Sequence, residues 1–186
     1  MRRVAWIGVA LGAAATITIL AMHGQRREPA GLARFEAAGV MLALDPARVT
    51  AVDVRQADRR WRFQREPGGG WNAEGTGPAP VETERALDDG LRLLHGSAPQ
   101  RTLERSEVDG IPMTEYGLAP PRYVVIVRAA DGPPFTVEFG AVNPQGLAQY
   151  ARVAGRDGLV LLPRFVGRSW ETAIGQLGRA SCRERV

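Results

Sequence analysis

Nineteen consecutive residues, Val4–Met22 (VAWIGVALGAAATITILAM), carry no charge. As a helix rising about 1.5 Å per residue the run is about 28 Å long, close to the ~30 Å hydrocarbon thickness of a bilayer. The expectation is a single membrane anchor over residues 1–23, in contact with membrane lipid through residues 4–22. A cleaved signal peptide is the rival reading. Against it, the run exceeds the usual apolar core of about 7–15 residues, and no convincing small-x-small site precedes Gln25-Arg-Arg27. Arg2 and Arg3 precede the run and Arg26 and Arg27 follow it, so the positive-inside bias is slight; the short N-terminal tail tips it inward. That orientation makes the chain a single-pass protein of a bacterial cytoplasmic (inner) membrane, with its remaining residues extracytoplasmic.

Net charge misleads if taken for the whole chain. The 186 residues carry a formal +4. Residues 1–39 contribute five Arg against two acids, and residues 178–186 three Arg against one Glu, which leaves sixteen Arg against seventeen acids between them. A nucleic-acid binder needs a concentrated basic surface to release counterions, and residues 40–177 have no such excess, so no nucleic-acid partner is expected. All 24 basic residues are Arg, which excludes lysine-based chemistry such as a Schiff base or a phosphate-loop lysine. The tail Gly178-Arg-Ala-Ser-Cys-Arg-Glu-Arg-Val186 matches a widely used short-read sequencing adapter translated in one frame. Residues 178–186 are therefore expected to be an artefact, which would take Cys182, the one cysteine, with them.

Between a linker at 24–39 and that tail, hydrophobic periodicity outlines an α+β domain over 40–177. Trp61 and Phe63 alternate with Arg60, Arg62 and Gln64, the period of a half-buried strand. Strands are expected at 49–56 and 60–66, with a short third beginning at Trp71 after Pro67-Gly-Gly-Gly70. Leu87, Leu91 and Leu94 then follow helical spacing, with Glu82, Glu84, Asp88, Asp89 and Arg92 on the other faces. An amphipathic helix over 81–95, stopped by Gly96, is expected to lie on the sheet. Further strands are read at 100–105, 123–129, 135–139, 149–153 and 159–162, and a terminal helix from 164. This order gives a largely antiparallel sheet with one packed amphipathic helix. Val52-x-Val-Arg-x-Ala-Asp58 recurs as Val125-x-Val-Arg-x-Ala-Asp131, five matches in seven, through either a duplicated hairpin or coincidence.

Motifs that carry chemistry are sparse. His23 and His95 are the only histidines, and neither has a partner at zinc-ligand spacing. Ser97, Ser106 and Ser169 lack a nucleophile-elbow or Ser-x-x-Lys context. Carboxylates such as Asp53 or Glu138 leave a hydrolase open, and the strand aromatics Trp61, Trp71 and Tyr150 leave open a glycan- or polymer-binding face. No cofactor or metal is expected, and no catalytic residue is assigned.

Several short elements, in order, resemble one family. They are Leu44-Asp-Pro-x-x-Val49 leading into a Val-x-Val strand, Gly70-Trp71, the Leu87/Leu91/Leu94 helix and Tyr116-Gly-Leu-Ala-Pro120 before the strand Val124–Arg128. Phe139-Gly140 and Gln149-Tyr-Ala-Arg152 complete the set. Across about 130 residues the chain resembles the domain of unknown function 4340 family of uncharacterised bacterial membrane-anchored proteins. The resemblance implies one N-terminal membrane helix and a genomic setting beside gliding-motility-type ABC transporter components. It points to a non-enzymatic accessory role in the envelope, with transport-complex proteins as partners. Trp71, Tyr116, Gly117, Leu118, Pro120 and Tyr150 are its motif residues here, and their expected role is structural: Gly117 permits a left-handed turn, Leu118 plugs the core and Pro120-Pro121 enforces extended entry into the next strand.

Overall fold

The computed structural model describes residues 38–183, with side-chain environments through residue 176. The expected anchor at 1–23 and the linker through residue 37 lie outside the described residues, as do the side chains of the adapter-like tail. Among the described residues no helix is long and apolar enough to cross a membrane.

Strand β1 (Val49–Gln56) turns through Ala57-Asp58 into β2 (Arg59–Arg65), with Ala57 at φ 50°, the left-handed conformation that tight hairpin turns use. β3 (Trp71–Ala73) and β4 (Gly77–Pro78) extend this meander outward. Helix α1 (Val81–Gly96) follows, then β5 (Arg101–Leu103) and the one-turn helix α2 (Arg105–Val108). Strands β6 (Tyr123–Ala129), β7 (Phe135–Val142), β8 (Ala148–Val153) and β9 (Leu159–Pro163) form a second meander, and α3 (Arg164–Arg183) closes the described chain. The nine strands make one sheet, ordered β4-β3-β2-β1-β6-β7-β8-β9-β5, and every adjacent pair is antiparallel. The protein is thus α+β with a large antiparallel sheet.

Period-2 alternation divides the sheet into two unlike faces. Val52, Val54, Phe63, Val125, Val127, Val137 and Phe139, none more than marginally exposed, share one face with α1 and α3. Removing each such side chain from water contributes roughly 1.5–3 kcal/mol. Leu87, Leu91 and Leu94 of α1 are buried there as their spacing requires, and Val166, Trp170, Ala173 and Ile174 of α3 pack beside them. Gly90 lets the helices close up: a Cβ at this position would sit 2.6 Å from the Trp170 ring.

Two helices therefore cover the sheet where one was expected. Nine strands spaced about 4.8 Å apart are roughly 38 Å wide, and one helix about 10 Å across cannot shield the apolar side chains of such a face.

A polar knot seats α3 on this face. The Tyr123 hydroxyl donates to the Gly167 carbonyl at 3.1 Å and lies 3.4 Å from Gln149 Oε1. Gln149, fully buried, donates to the Gly140 carbonyl at 3.0 Å and accepts from Arg164 at 3.2 Å. Burial first, and the nearby Glu171 carboxylate second, push the Tyr123 phenol well above its ordinary range.

The recurring heptapeptide acquires a physical meaning at the seam between the meanders. β1 and β6 are direct neighbours, with Val52 opposite Val127, Asp53 opposite Ile126 and Val54 opposite Val125. The two copies lie antiparallel across a local twofold that passes through the Asp53–Ile126 pair.

Candidate functional site: the open face of the sheet

The second face is half covered. Toward β9 and β5, Leu103, Val108, Leu118 and Leu159 form a small core of their own, with Met113, Tyr116, Tyr150 and Leu161 packed against it. The chain from α2 to Pro121 supplies the cover. Within it Gly117 adopts φ +64°, and a Cβ there would lie 2.7 Å from the Ala141 nitrogen. Leu118 is buried, Tyr116 meets Tyr150 edge-on with ring centroids 5.1 Å apart, and the Ala119–Pro120 peptide is cis. Leu118 thus plugs this smaller cluster and not the helix-covered core.

Trp71 lies far from that motif, on the helix-covered face. Its indole nitrogen donates to Asp88 at 3.1 Å, its backbone N–H donates to Glu84 at 2.8 Å, and the Arg65 guanidinium stacks 4.4 Å above its ring. Of the six motif residues, Tyr116, Gly117, Leu118, Pro120 and Tyr150 come together and Trp71 does not. Trp61 also packs toward the helices, whereas Tyr150 belongs to the opposite face. The three aromatics considered for glycan stacking share no surface.

Beyond that cover, which reaches Gly140 on β7 and Tyr150 on β8, the second face across β2, β1 and β6 is built of charge. Asp53 projects onto it from β1 with no solvent exposure. Its Oδ2 accepts from Arg60 Nη2 and Arg128 Nη1, each at 2.8 Å, and its Oδ1 accepts from Arg62 Nε at 2.9 Å. Hairpin register brings two of these arginines, because Arg62 stands opposite Asp53 and Arg60 opposite Arg55. Arg128 comes from β6, one residue pair along the seam from Ile126's neighbour Val127. Burial alone raises the Asp53 carboxyl, but hydrogen bonds from Arg128, Arg60 and Arg62 together outweigh it and hold the group below its ordinary value. Two strands away, Glu138 on β7 accepts from Arg152 Nε on β8 at 2.8 Å.

These carboxylates do not form an acid–base pair. Asp53 and Glu138 sit on strands separated by β6, a stem spacing of roughly 10 Å, and each is committed to guanidinium partners. What the face does present is a row of arginine side chains, 44% exposed at Arg60, 31% at Arg62, 37% at Arg128 and 44% at Arg152. Fixed guanidinium groups on a flat, partly apolar floor are suited to receiving anionic groups, above all carboxylates in bidentate geometry. Sequence alone marks Asp53 only as a loose carboxylate beside Glu138, and gives its arginines no role at a site. The available signal was the Arg60-x-Arg62 pattern facing Asp53 across a two-residue turn; the contribution of Arg128 had no local signal.

Elsewhere, His95 Nδ1 lies 3.2 Å from the carbonyls of both Met41 and Leu44, tying the entry segment to the end of α1. Ser169 donates to the Val166 carbonyl within α3. Among the described residues no three His, Cys, Asp or Glu side chains are grouped so as to hold a metal ion. Comparisons with protein-family models, curated proteins and solved structures give no match to this chain.

Proposed function

We propose that this protein is a membrane-anchored accessory subunit of a bacterial envelope transport (ABC-type) or gliding-motility-like complex, whose domain works by docking and not by catalysis. The uncharged run Val4–Met22, long enough to cross a bilayer, supports the anchor, and the domain is read as extracytoplasmic. The resemblance to the domain of unknown function 4340 family supplies the kind of complex. The observation that carries the docking role is the open sheet face, where a buried Asp53 fixes three arginines in place and leaves their outer surfaces exposed. Pre-ordered charged side chains lose little further entropy when a partner lands on them.

Affinity purification of the tagged full chain from its native membranes tests the reading. Stoichiometric recovery of inner-membrane transport components is expected. Recovery of the protein alone, at expression levels where its membrane location is intact, would remove the basis for an accessory role.

A further inference from the structure

The local twofold at the seam is broken at one place, and the break exposes an arginine. Superposing one heptapeptide on the other equates Arg128 with Arg55 and Asp53 with Ile126. Arg128 finds the Asp53 carboxylate across the seam. The position equivalent to Asp53 on β6 holds Ile126, which offers Arg55 no acceptor, and among the described residues no carboxylate lies within 4.0 Å of Arg55. Arg55 is exposed, with Arg60 opposite it on β2 and Val124 opposite it on β6. A guanidinium has five N–H groups. Arg60 and Arg128 each give one to Asp53 and, among the described residues, direct no other to a protein acceptor. Register places the half-buried Ala51 and Val124 and the buried Ile126 beside these arginines on the same face.

We propose that this face receives an acidic segment of a partner protein, with Asp or Glu carboxylates seated on Arg55, Arg60 and Arg128. The inference rests on the docking role above and adds the partner's chemistry. Charge on the face is patterned, not uniform: Asp53, Glu138 and Glu74 stand among Arg55, Arg60, Arg62, Arg128 and Arg152. A continuous polyanion laid across it would meet these carboxylates at short range. Nucleic acid and anionic lipid bind to uninterrupted basic clusters, of about four to eight residues in the lipid case. A protein segment can space its acids to meet the arginines and avoid the carboxylates, and charge complementarity of that kind selects a partner.

The test uses the full chain held by its anchor in phosphatidylcholine nanodiscs, free of detergent, and three fluorescent probes: a peptide of repeated Glu-Ser-Gly, vesicles of phosphatidylcholine with phosphatidylglycerol, and oligothymidylate. Arg55→Glu is the informative variant, because Arg55 holds no ion pair among the described residues, and Arg55→Gln beside it loses the same charge without offering Arg60 a carboxylate that could draw it from Asp53. Arg105→Glu, on the exposed surface of α2, makes the same change in net charge elsewhere. The expected result is peptide binding that weakens roughly three- to tenfold in Arg55→Glu, weakens also in Arg55→Gln, and is unchanged in Arg105→Glu. Equal weakening in Arg55→Glu and Arg105→Glu, or dependence on Arg55 only with vesicles or oligothymidylate, overturns the proposal.

A photo-crosslinker at Thr136, beside Ile126 on the same face, then identifies the partner segment in native membranes. Mass-spectrometric assignment to an Asp/Glu-rich stretch of a co-purifying subunit supports the proposal; assignment to lipid or to a neutral segment overturns it. If the complex co-purifies as well with Arg55→Glu as with the parent, the docking face is wrong while the accessory role stands. If no complex is recovered yet peptide binding depends on Arg55, the accessory role fails and the acidic-segment site remains.

Discussion

Arg128 donates to Asp53 across the seam where the two meanders join, at 2.8 Å and over 75 residues of sequence. The contact binds the first half of the sheet to the second and, with Arg60 and Arg62, keeps a fully buried charge neutralised. It also orders the arginines that face outward. The same cluster therefore serves stability and surface chemistry.

Asp53→Ala leaves three arginines converging on an empty centre. Removing one partner of a fully buried pair costs about 3–5 kcal/mol; with arginines 31–44% exposed, screening lowers the expectation to about 1–3 kcal/mol. Chemical denaturation of the full chain measures it, and an unchanged midpoint would contradict the role given to Asp53.

Because the folded-state pKa of Asp53 lies below its unfolded value, its ionisation stabilises the fold above the unfolded pKa of about 3.9, and that contribution is lost as pH falls through the folded value. The stability gap between the parent and Asp53→Asn is accordingly expected to be constant near neutral pH and to shrink below about pH 4. A gap that stays the same down to acid unfolding would show that the carboxylate is not the group responsible.

Tyr123 has the opposite sign. Its phenol is held above its ordinary value by burial, so its contribution is whole below the unfolded pKa of about 10 and is lost as pH rises from there toward the folded value. Alkaline denaturation of the parent is expected to show a loss of stability above about pH 10 that Tyr123→Phe lacks. At neutral pH the substitution removes the bond to the Gly167 carbonyl and costs about 1 kcal/mol. Parallel alkaline slopes in the two proteins would refute the assignment.

Gly90→Ala sets a helix preference against a clash. Alanine favours the helix by about 1 kcal/mol, but its Cβ would lie 2.6 Å from the Trp170 ring, and overpacking costs about 1–3 kcal/mol. A net loss of about 1 kcal/mol is expected, together with altered Trp fluorescence as the indole is displaced. A stabilised variant would mean that the helices separate at little cost.

Gly117→Ala combines a left-handed φ of +64° with an approach of 2.7 Å to the Ala141 backbone nitrogen, and backbone cannot step aside as a side-chain tip can. About 2 kcal/mol of destabilisation is expected, concentrated in the cover between α2 and Pro121. Hydrogen exchange should locate it: faster exchange at 105–121 with β1 and β6 unaffected. Uniform acceleration across the sheet would argue that this cover is integral to the main core.

What sequence alone determined were the elements whose signal is local. Alternation of Trp61 and Phe63 with Arg60, Arg62 and Gln64 marked β2, and the spacing of Leu87, Leu91 and Leu94 marked α1, because one-sided burial imposes its period on neighbouring residues. The α+β class followed from their order. Tertiary structure alone decided what depends on distant strands meeting. It added α3 to the helix layer, placed Trp61 and Tyr150 on opposite faces, and turned a repeated heptapeptide into a twofold seam. It also brought Arg128 to Asp53 and put Ile126 where the seam's twofold would require a matching carboxylate for Arg55. Pairing register between strands seventy residues apart is set by the packing of the whole sheet, and no local periodicity encodes which charge will find a partner.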